Sequence, residues 1–369
     1  MCIMKRGIKV IGLMSGTSLD GLDLCYASFE YDGSKWSYKV IDACDEQYSD
    51  ELKMRLATAQ NMSAYEYALL NAEYGVYLGS RVKAFMERTG ARPDIIASHG
   101  HTIFHQPAKG LTTQIGSGAG IAAESGVDCV CDFRTTDVAL HGQGALLVPI
   151  GDKFLFADYD YCLNLGGFSN ISFNSQTIIE SVAVPARLAF DISPVNYVLN
   201  HYMRSIGKEF DRDGECAASG AVCHKLLDAL NGLDFYKEQG PKSLGREWVE
   251  SEVFPLIDSF NLSLPDIMAT FCEHIAIQIS AKIKGGEVVS RVLLTGGGAF
   301  NKFLVERMQA KTPQGLYCIP DKQTVNFKEA LIFAFLGALY LSDMPNCMSS
   351  VTGAAYDCIG GALYKAGRK

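Results

Sequence analysis

The chain has 369 residues, of which 48% are hydrophobic, and a formal net charge of −8. That is enough apolar material for two cores, and an acidic balance without a Lys/Arg-rich stripe argues against nucleic acid as the main partner. The opening residues lack a signal-peptide core and no uninterrupted apolar run reaches bilayer length, so a cytoplasmic protein without membrane association is expected.

Ile8-Lys9-Val10-Ile11 reads as a strand entering Gly12-Leu13-Met14-Ser15-Gly16-Thr17-Ser18-Leu19-Asp20-Gly21, and Leu22-Asp23-Leu24-Cys25-Tyr26-Ala27 reads as a strand leaving it. Glycines let backbone N–H groups converge on an anion, hydroxyls add donors, and Asp20 could hold a hydrated magnesium. An ordinary turn explains this stretch equally well by itself. Residues 36–43 continue the meander, 63–88 carry a helical apolar face, and 93–97 form a short buried strand ending in Ser98-His99-Gly100-His101-Thr102. A short helix at 116–125 and a strand at 127–131 lead into a polar, glycine-bearing stretch at 132–144, the kind of loop in which α/β proteins keep their sites.

A second domain is expected from about residue 154, giving boundaries of 1–153 and 154–369. Its opening repeats the first pattern: Tyr161-Cys162-Leu163-Asn164-Leu165, the turn Gly166-Gly167-Phe168-Ser169-Asn170, then Ile171-Ser172-Phe173. Helices are expected at 194–205, 217–230, 266–284 (stopped by Gly285-Gly286) and 328–341. Between them, Leu293-Leu294-Thr295-Gly296-Gly297-Gly298-Ala299 reads as strand, close-approach turn and helix start. Two Gly/Ser hairpins and a third glycine loop, in this order, are the parts of actin-, hexokinase- and Hsp70-type ATPases. The expected fold class is therefore α/β, a two-domain actin/hexokinase-like (ribonuclease H-like) ATPase fold with an inter-domain cleft.

Several residues invite chemistry. Asp191, in Phe190-Asp191-Ile192-Ser193-Pro194, sits where a strand end meets a helix start, with Ser193 as N-cap and Pro194 in the first turn; a cleft-facing carboxylate and a simple capping residue fit equally. His99, His101 and His105 resemble a metal set but lack a further ligand cluster, so substrate-facing or internally bonded histidines fit better. Arg134 and Glu329 flank apolar runs in which an unpaired charge is costly. Asp211-Arg212-Asp213-Gly214-Glu215 lacks the later ligands of a calcium loop. The twelve cysteines are scattered without a C-x-x-C and read as buried free thiols.

The sequence resembles the anhydro-N-acetylmuramic acid kinases of bacterial cell-wall recycling. The likeness is carried by residues 12–23, Ser98-His99-Gly100-His101-Thr102, Asp132-Phe133-Arg134, Gly142-Gln143-Gly144-Ala145 and Asn164-Leu165-Gly166-Gly167. It continues in residues 241–247, Gly296-Gly297-Gly298, Lys328-Glu329-Ala330 and Val351-Thr352-Gly353-Ala354, so it spans essentially the whole chain. The resemblance implies an ATP- and Mg2+-dependent kinase of the actin/hexokinase superfamily, working as a homodimer. It would hydrolytically open 1,6-anhydro-N-acetylmuramic acid and phosphorylate it to N-acetylmuramic acid 6-phosphate.

By the same resemblance Asp191 is the catalytic base for water, and Arg134 and Glu329 hold the sugar together with His101 and Thr102. ATP would lie on Gly12, Ser15, Gly16, Thr17, Ser18, Asp20, Gly166, Gly167, Asn170, Gly296, Gly297 and Gly298, with Mg2+ held through water by Asp20. One departure stands out: the family places glycine before the proline that follows the catalytic aspartate, and often after it, where this chain has Ser193 and Val195. Two other readings are a sugar kinase acting on a free hydroxyl and a catalytically silent, actin-like nucleotide-binding protein.

Overall fold

The computed structural model describes residues 7–16, 19, 21–179, 182–237, 242–284 and 289–367. Its strands, in chain order, are β1 (Ile8–Met14), β2 (Leu22–Tyr31), β3 (Trp36–Glu46), β4 (Ile95–Ser98), β5 (His101–Gln106), β6 (Leu111–Ile115) and β7 (Cys129–Cys131). They continue with β8 (Tyr161–Leu165), β9 (Phe168–Ile179), β10 (Val182–Pro194), β11 (Ser290–Thr295), β12 (Gly315–Cys318) and β13 (Ala362–Tyr364). The chain divides into two units, one formed by Met1–Leu155 with Phe327–Lys369 and the other by Phe156–Asn326. The first boundary falls two residues from the expected 153. The C-terminal stretch, expected in the second domain, returns to the first. Residue spacing along a helix gives no sign of this return, because the helix Lys322–Leu341 runs across the boundary, with non-helical angles only at Phe327.

The first unit holds a sheet of order β13-β7-β4-β1-β2-β3 and the second a sheet of order β10-β9-β8-β11-β12. In each, three successive strands form an antiparallel meander (β1–β2–β3 and β8–β9–β10). Two later strands then add in parallel beside the first of the three (β4 and β7; β11 and β12). The same strand order in both units is the duplicated ribonuclease H-like layout that the two Gly/Ser hairpins suggested.

The helix Ala64–Thr89 starts on a capping box, in which the Ser63 and Glu66 side chains each take the other residue's backbone N–H, and ends on left-handed Gly90. Its buried face, Leu70, Tyr74, Leu78, Val82 and Phe85, covers the first sheet together with Ile11, Leu13, Leu24 and Ile96. The helix Lys322–Leu341, which crosses the unit boundary, is long and apolar enough by composition to cross a bilayer. However, 72% of its most apolar window is buried, and its apolarity is explained by packing. Gly12 lies within β1, which runs three residues further than the sequence pattern shows, and a Cβ there would stand 2.0 Å from the Ala330 carbonyl. Only glycine allows the helix backbone to lie this close to the strand.

The second core gathers Leu163, Leu165, Ile171, Val198, Met268, Phe271, Ile275, Val292 and Leu294 around the helix Leu264–Ser280. Three further expectations change. The region from 217 to 230 is two short helices, Glu215–Ala218 and His224–Asn231. The helix expected from 194 begins at Asn196 with Val195 at its N-cap, while Ser193 and Pro194 close β10. The expected helix stop at Gly285-Gly286 lies outside the described residues.

Candidate functional site

In the first unit the polar stretch after β7 places Arg134 at the start of the helix Thr135–Ala139. Its Nε and Nη2 both donate to His99 Nε2, at 3.1 and 2.9 Å, and its Nη1 donates to the Gly144 carbonyl at 2.5 Å. Burial pushes the guanidinium down to about 10, opposed by the nearby Glu329 carboxylate. His99 is buried, and burial together with Arg134 depresses its pKa well below 6.5. It is therefore the neutral acceptor that this geometry requires, with its proton on Nδ1.

Glu329 keeps an exposed surface, yet the protein packed around it raises its carboxyl above the usual carboxylate range, against the pull of Lys328 and Arg134. Among the described residues it makes no ion pair, so a carboxylate and a preoriented guanidinium stand close and unsatisfied by each other. Asp132 and His141, both with left-handed φ (61° and 67°), bend the same stretch.

His101 and Ser15 belong to one buried chain of hydroxyls. Tyr48 Oη donates to Ser15 Oγ at 2.8 Å, Tyr74 Oη lies 2.7 Å from Tyr48 Oη, and Ser15 Oγ is 3.0 Å from His101 Nδ1. Donation then runs Tyr74, Tyr48, Ser15, His101, each link polarising the next. It ends on an imidazole that burial pushes down to about 4, which keeps its Nδ1 lone pair free to accept. The Ser15 hydroxyl thus anchors the phosphate-loop candidate from beneath. Thr102 lies on β5 opposite Gln114, and His105 bonds Thr112, so the three histidines do not form a metal set. Tyr48 and Tyr74 carry no sequence signal, since Tyr48 is 33 residues from Ser15 and 26 from Tyr74 along the chain. Thr17, Ser18 and Asp20 lie outside the described residues.

In the second unit Asp191 is on β10, paired across the ladder with Asn170 of β9, at an irregularity where the register shifts between Asp191 and Ser193. Such bulges turn a side chain out of the regular pleat. The Leu244 N–H donates to Asp191 Oδ2 at 2.9 Å, and the Asp191 N–H donates to the Lys242 carbonyl at 2.9 Å. Burial raises the carboxyl above 3.8, with the Leu244 N–H pulling the other way. Asp191 caps no helix. The Ser193 N–H donates to Ser169 Oγ at 3.1 Å and neither Ser193 nor Val195 has a positive φ, so both replacements of the family's glycines fit this backbone.

The turn Gly166-Gly167 gives both carbonyls to the start of the helix Asn196–Arg204: Gly167 accepts from Val195 and Tyr197, and Gly166 from Asn196. In a trans peptide the N–H points opposite the carbonyl. The Gly167 and Phe168 N–H groups are therefore turned away from the helix start that the two carbonyls face. The third glycine loop packs on this turn. Gly296 has φ +81°, and a Cβ there would lie 2.7 Å from the Leu165 backbone; Gly298 meets Leu165 as closely, and Gly297 is more open. Thus Asp191, Asn170, Gly166, Gly167, Gly296, Gly297 and Gly298 all come together on one end of the second sheet. A recess of about 620 Å3 lined by Ile206, Phe210, Arg212 and Cys216 holds none of the expected site residues.

A family model described as anhydro-N-acetylmuramic acid kinase matches residues 8–366. The chain belongs to this family. A relative named anhydro-N-acetylmuramic acid kinase from Pseudomonas savastanoi pv. phaseolicola is 34% identical, over 96% of this chain and 99% of its own. One of the same name from Vibrio parahaemolyticus is 32% identical, over 98% and 99%. Solved structures at lower likeness include a xylulose kinase from Lactobacillus acidophilus (10% identity, TM-score 0.44, 89% of each chain). Another is component A of the (R)-2-hydroxyglutaryl-CoA dehydratase of Acidaminococcus fermentans (11%, 0.44, 89% and 96%). Within the family, the matched span takes in every candidate site residue of both units.

Proposed function

We propose that the chain is an ATP-dependent kinase that opens 1,6-anhydro-N-acetylmuramic acid with water and yields N-acetylmuramic acid 6-phosphate, in peptidoglycan recycling. The observation that carries this is Asp191: a half-buried carboxylate at a β-bulge, held by one backbone N–H, with its pKa raised toward that of a working base. Asp191 takes a proton from the water that attacks the anomeric carbon while the bond from that carbon to the bridging oxygen breaks. Arg134, fixed by His99 and the Gly144 carbonyl, offers its charge to the sugar's lactyl carboxylate or a ring oxygen, and Glu329 accepts from a sugar hydroxyl. His101 and Thr102 line the same side of the first unit's sugar site.

In the second unit the paired N–H groups after Gly166 and the open Gly297 suit the phosphate oxygens of ATP; in the first unit Gly12 lies inside β1 against a helix, so the motif's contribution falls to Ser15 and Gly16. Thr17, Ser18 and Asp20 join them by their place in the motif. When bound, ATP would supply the phosphoryl group that the freed oxygen at position six accepts, and Mg2+ would neutralise charge on the phosphates; by its place in the motif, Asp20 is the residue that would hold the ion through water. Family membership supports a cytoplasmic homodimer.

The test is mass spectrometry of the product formed from the anhydro sugar and ATP in oxygen-18 water. Label at the anomeric hydroxyl alone is expected. An unlabelled phosphorylated anhydro sugar would establish a kinase acting on a free hydroxyl instead, and label on phosphate would establish an ATPase.

A further inference from the structure

We propose that Asp137, Cys347 and Cys358 form a binding site for a thiophilic divalent cation, zinc being the natural occupant, which braces the segment that carries Arg134. Asp137 Oδ and the two Sγ atoms all lie within 4.8 Å of one another, and all three residues are buried. Cys347 and Cys358 are brought opposite each other by an antiparallel bridge, closed by N–H to carbonyl bonds of 3.1 and 3.2 Å in both directions. Thr135–Ala139, the helix behind Arg134, supplies the carboxylate.

Two independent features point to a cation. The Asp137 side chain is fully buried, and among the described residues no ion pair neutralises it. Arg134 is near enough to feel its charge, but the guanidinium donates to His99 and to the Gly144 carbonyl instead. Buried charges are ordinarily paired or bound to metal. The second feature is that the single Cys347 thiol proton has more acceptors than it can serve: Sγ donates toward the Phe133 carbonyl at 3.5 Å and toward Asn346 Oδ1 at 3.6 Å, beside the carboxylate and the second sulfur.

The carboxylate is also held as a metal ligand is held. Thr352 Oγ1 donates to Oδ1 at 2.7 Å, and the Gly144 N–H donates to Oδ2 at 2.7 Å, so each oxygen is oriented and keeps a further lone pair. Two thiolates and a carboxylate suit zinc, with ligand distances of roughly 2.0–2.3 Å that a small inward movement of the three side chains would reach. Binding releases the two thiol protons to solvent, and the remaining single negative charge faces Arg134. Among the described residues Cys129 and Cys131 have no carboxylate oxygen placed with both sulfurs in this way, although Asp132 follows Cys131 in the chain, and they serve as the internal control.

The full chain, stripped with a chelator and kept reduced, is titrated with Co2+ and then Zn2+. Thiolate-to-cobalt charge-transfer absorption and the strong visible bands of a tetrahedral site are expected, both abolished by Zn2+ and absent in Cys347→Ser and in Cys358→Ser. The double variant Cys129→Ser/Cys131→Ser keeps them. Thr352→Val, which frees Asp137 Oδ1, weakens Zn2+ binding by about 10–100-fold. Zn2+ also protects Cys347 and Cys358 of the unaltered chain from alkylation, read by peptide mass spectrometry, a measurement independent of whether the serine variants fold. Absence of thiolate-to-cobalt absorption in the unaltered chain, or alkylation of both cysteines unchanged by Zn2+, overturns the proposal.

Discussion

Leu244 and Asp191 are 53 residues apart, yet the backbone N–H of the first donates to Oδ2 of the second at 2.9 Å. The Asp191 N–H returns the contact to the Lys242 carbonyl. The loop stretch 242–244 therefore fixes the carboxylate through one of its oxygens and holds the backbone that carries it. Lys242 is held in turn: its ammonium lies 3.9 Å over the Phe235 ring and donates to the Phe235 carbonyl. The same N–H lowers a carboxyl pKa that burial raises, so this one contact sets both the position and the basicity of the proposed base.

Asp191→Asn keeps the shape and the Leu244 contact but removes the proton acceptor. Turnover falls by about 10²–10⁴ while nucleotide affinity is unchanged. The sign for stability is opposite. A carboxyl raised above 3.8 in the folded state binds its proton more tightly there than when unfolded, so Asp191 destabilises the fold increasingly as pH rises from 3.8 through the folded value. The substituted amide carries no charge, and the melting temperature at neutral pH stays level or rises. Near wild-type turnover in steady-state assays would remove Asp191 from the mechanism.

Leu244→Pro deletes the N–H that holds Asp191 Oδ2. With that contact gone, burial acts unopposed and the acid limb of the kcat/KM profile moves to higher pH. A profile that falls in height without moving its limb would assign Leu244 to shape alone.

Arg134→Ala raises KM for the sugar well above any change for ATP, since losing a charge-assisted hydrogen bond costs about 1.5–3 kcal/mol. Arg134→Lys does not restore it. The guanidinium makes three directed bonds, to His99 twice and to the Gly144 carbonyl, that a single ammonium cannot reproduce. Equal increases in both KM values would argue against a sugar contact.

Lys328 and Asp152 form an ion pair of 2.7 Å with side chains only 6% and 5% exposed. Lys328→Met leaves a buried carboxylate without its cation and costs about 3–5 kcal/mol, whereas Lys328→Met with Asp152→Leu recovers most of the loss. Urea denaturation of the single and double variants measures the difference. A double variant no more stable than the single one would show that the lysine stabilises by packing.

Three histidines make the fold acid-sensitive. Burial pushes His101 down to about 4 and His274 down to about 3, and holds His99 well below 6.5. Their folded pKa values are depressed, so the unfolded chain binds more protons and stability falls as pH drops below 6.5. His101 and His274 each contribute a loss of roughly 1.5 kcal/mol between pH 6.5 and pH 5, and His99 acts in the same direction. His274→Gln, which can still bond Asn231 and Tyr236, flattens that slope in denaturation curves at the two pH values.

The sequence by itself determined the two Gly/Ser hairpins, the repeated strand order they imply and the third glycine loop, and it singled out Asp191 while leaving a helix-capping role equally open. These are short-range patterns: period-two apolar runs, turn residues at fixed offsets and a motif read within a dozen positions. Only the tertiary structure decided that residues 327–369 return to the first unit, which is what places Glu329 with Arg134 and Cys347 with Asp137. It also decided that Gly12 serves a helix packed on β1, that Ser15 is held by Tyr48, and that Asp191 sits on a bulged strand and caps no helix. The physical reason is range. A hydrogen bond or buried charge pair joins residues tens to hundreds of positions apart, and residue type and spacing carry no trace of a partner that the fold alone brings within 3 Å.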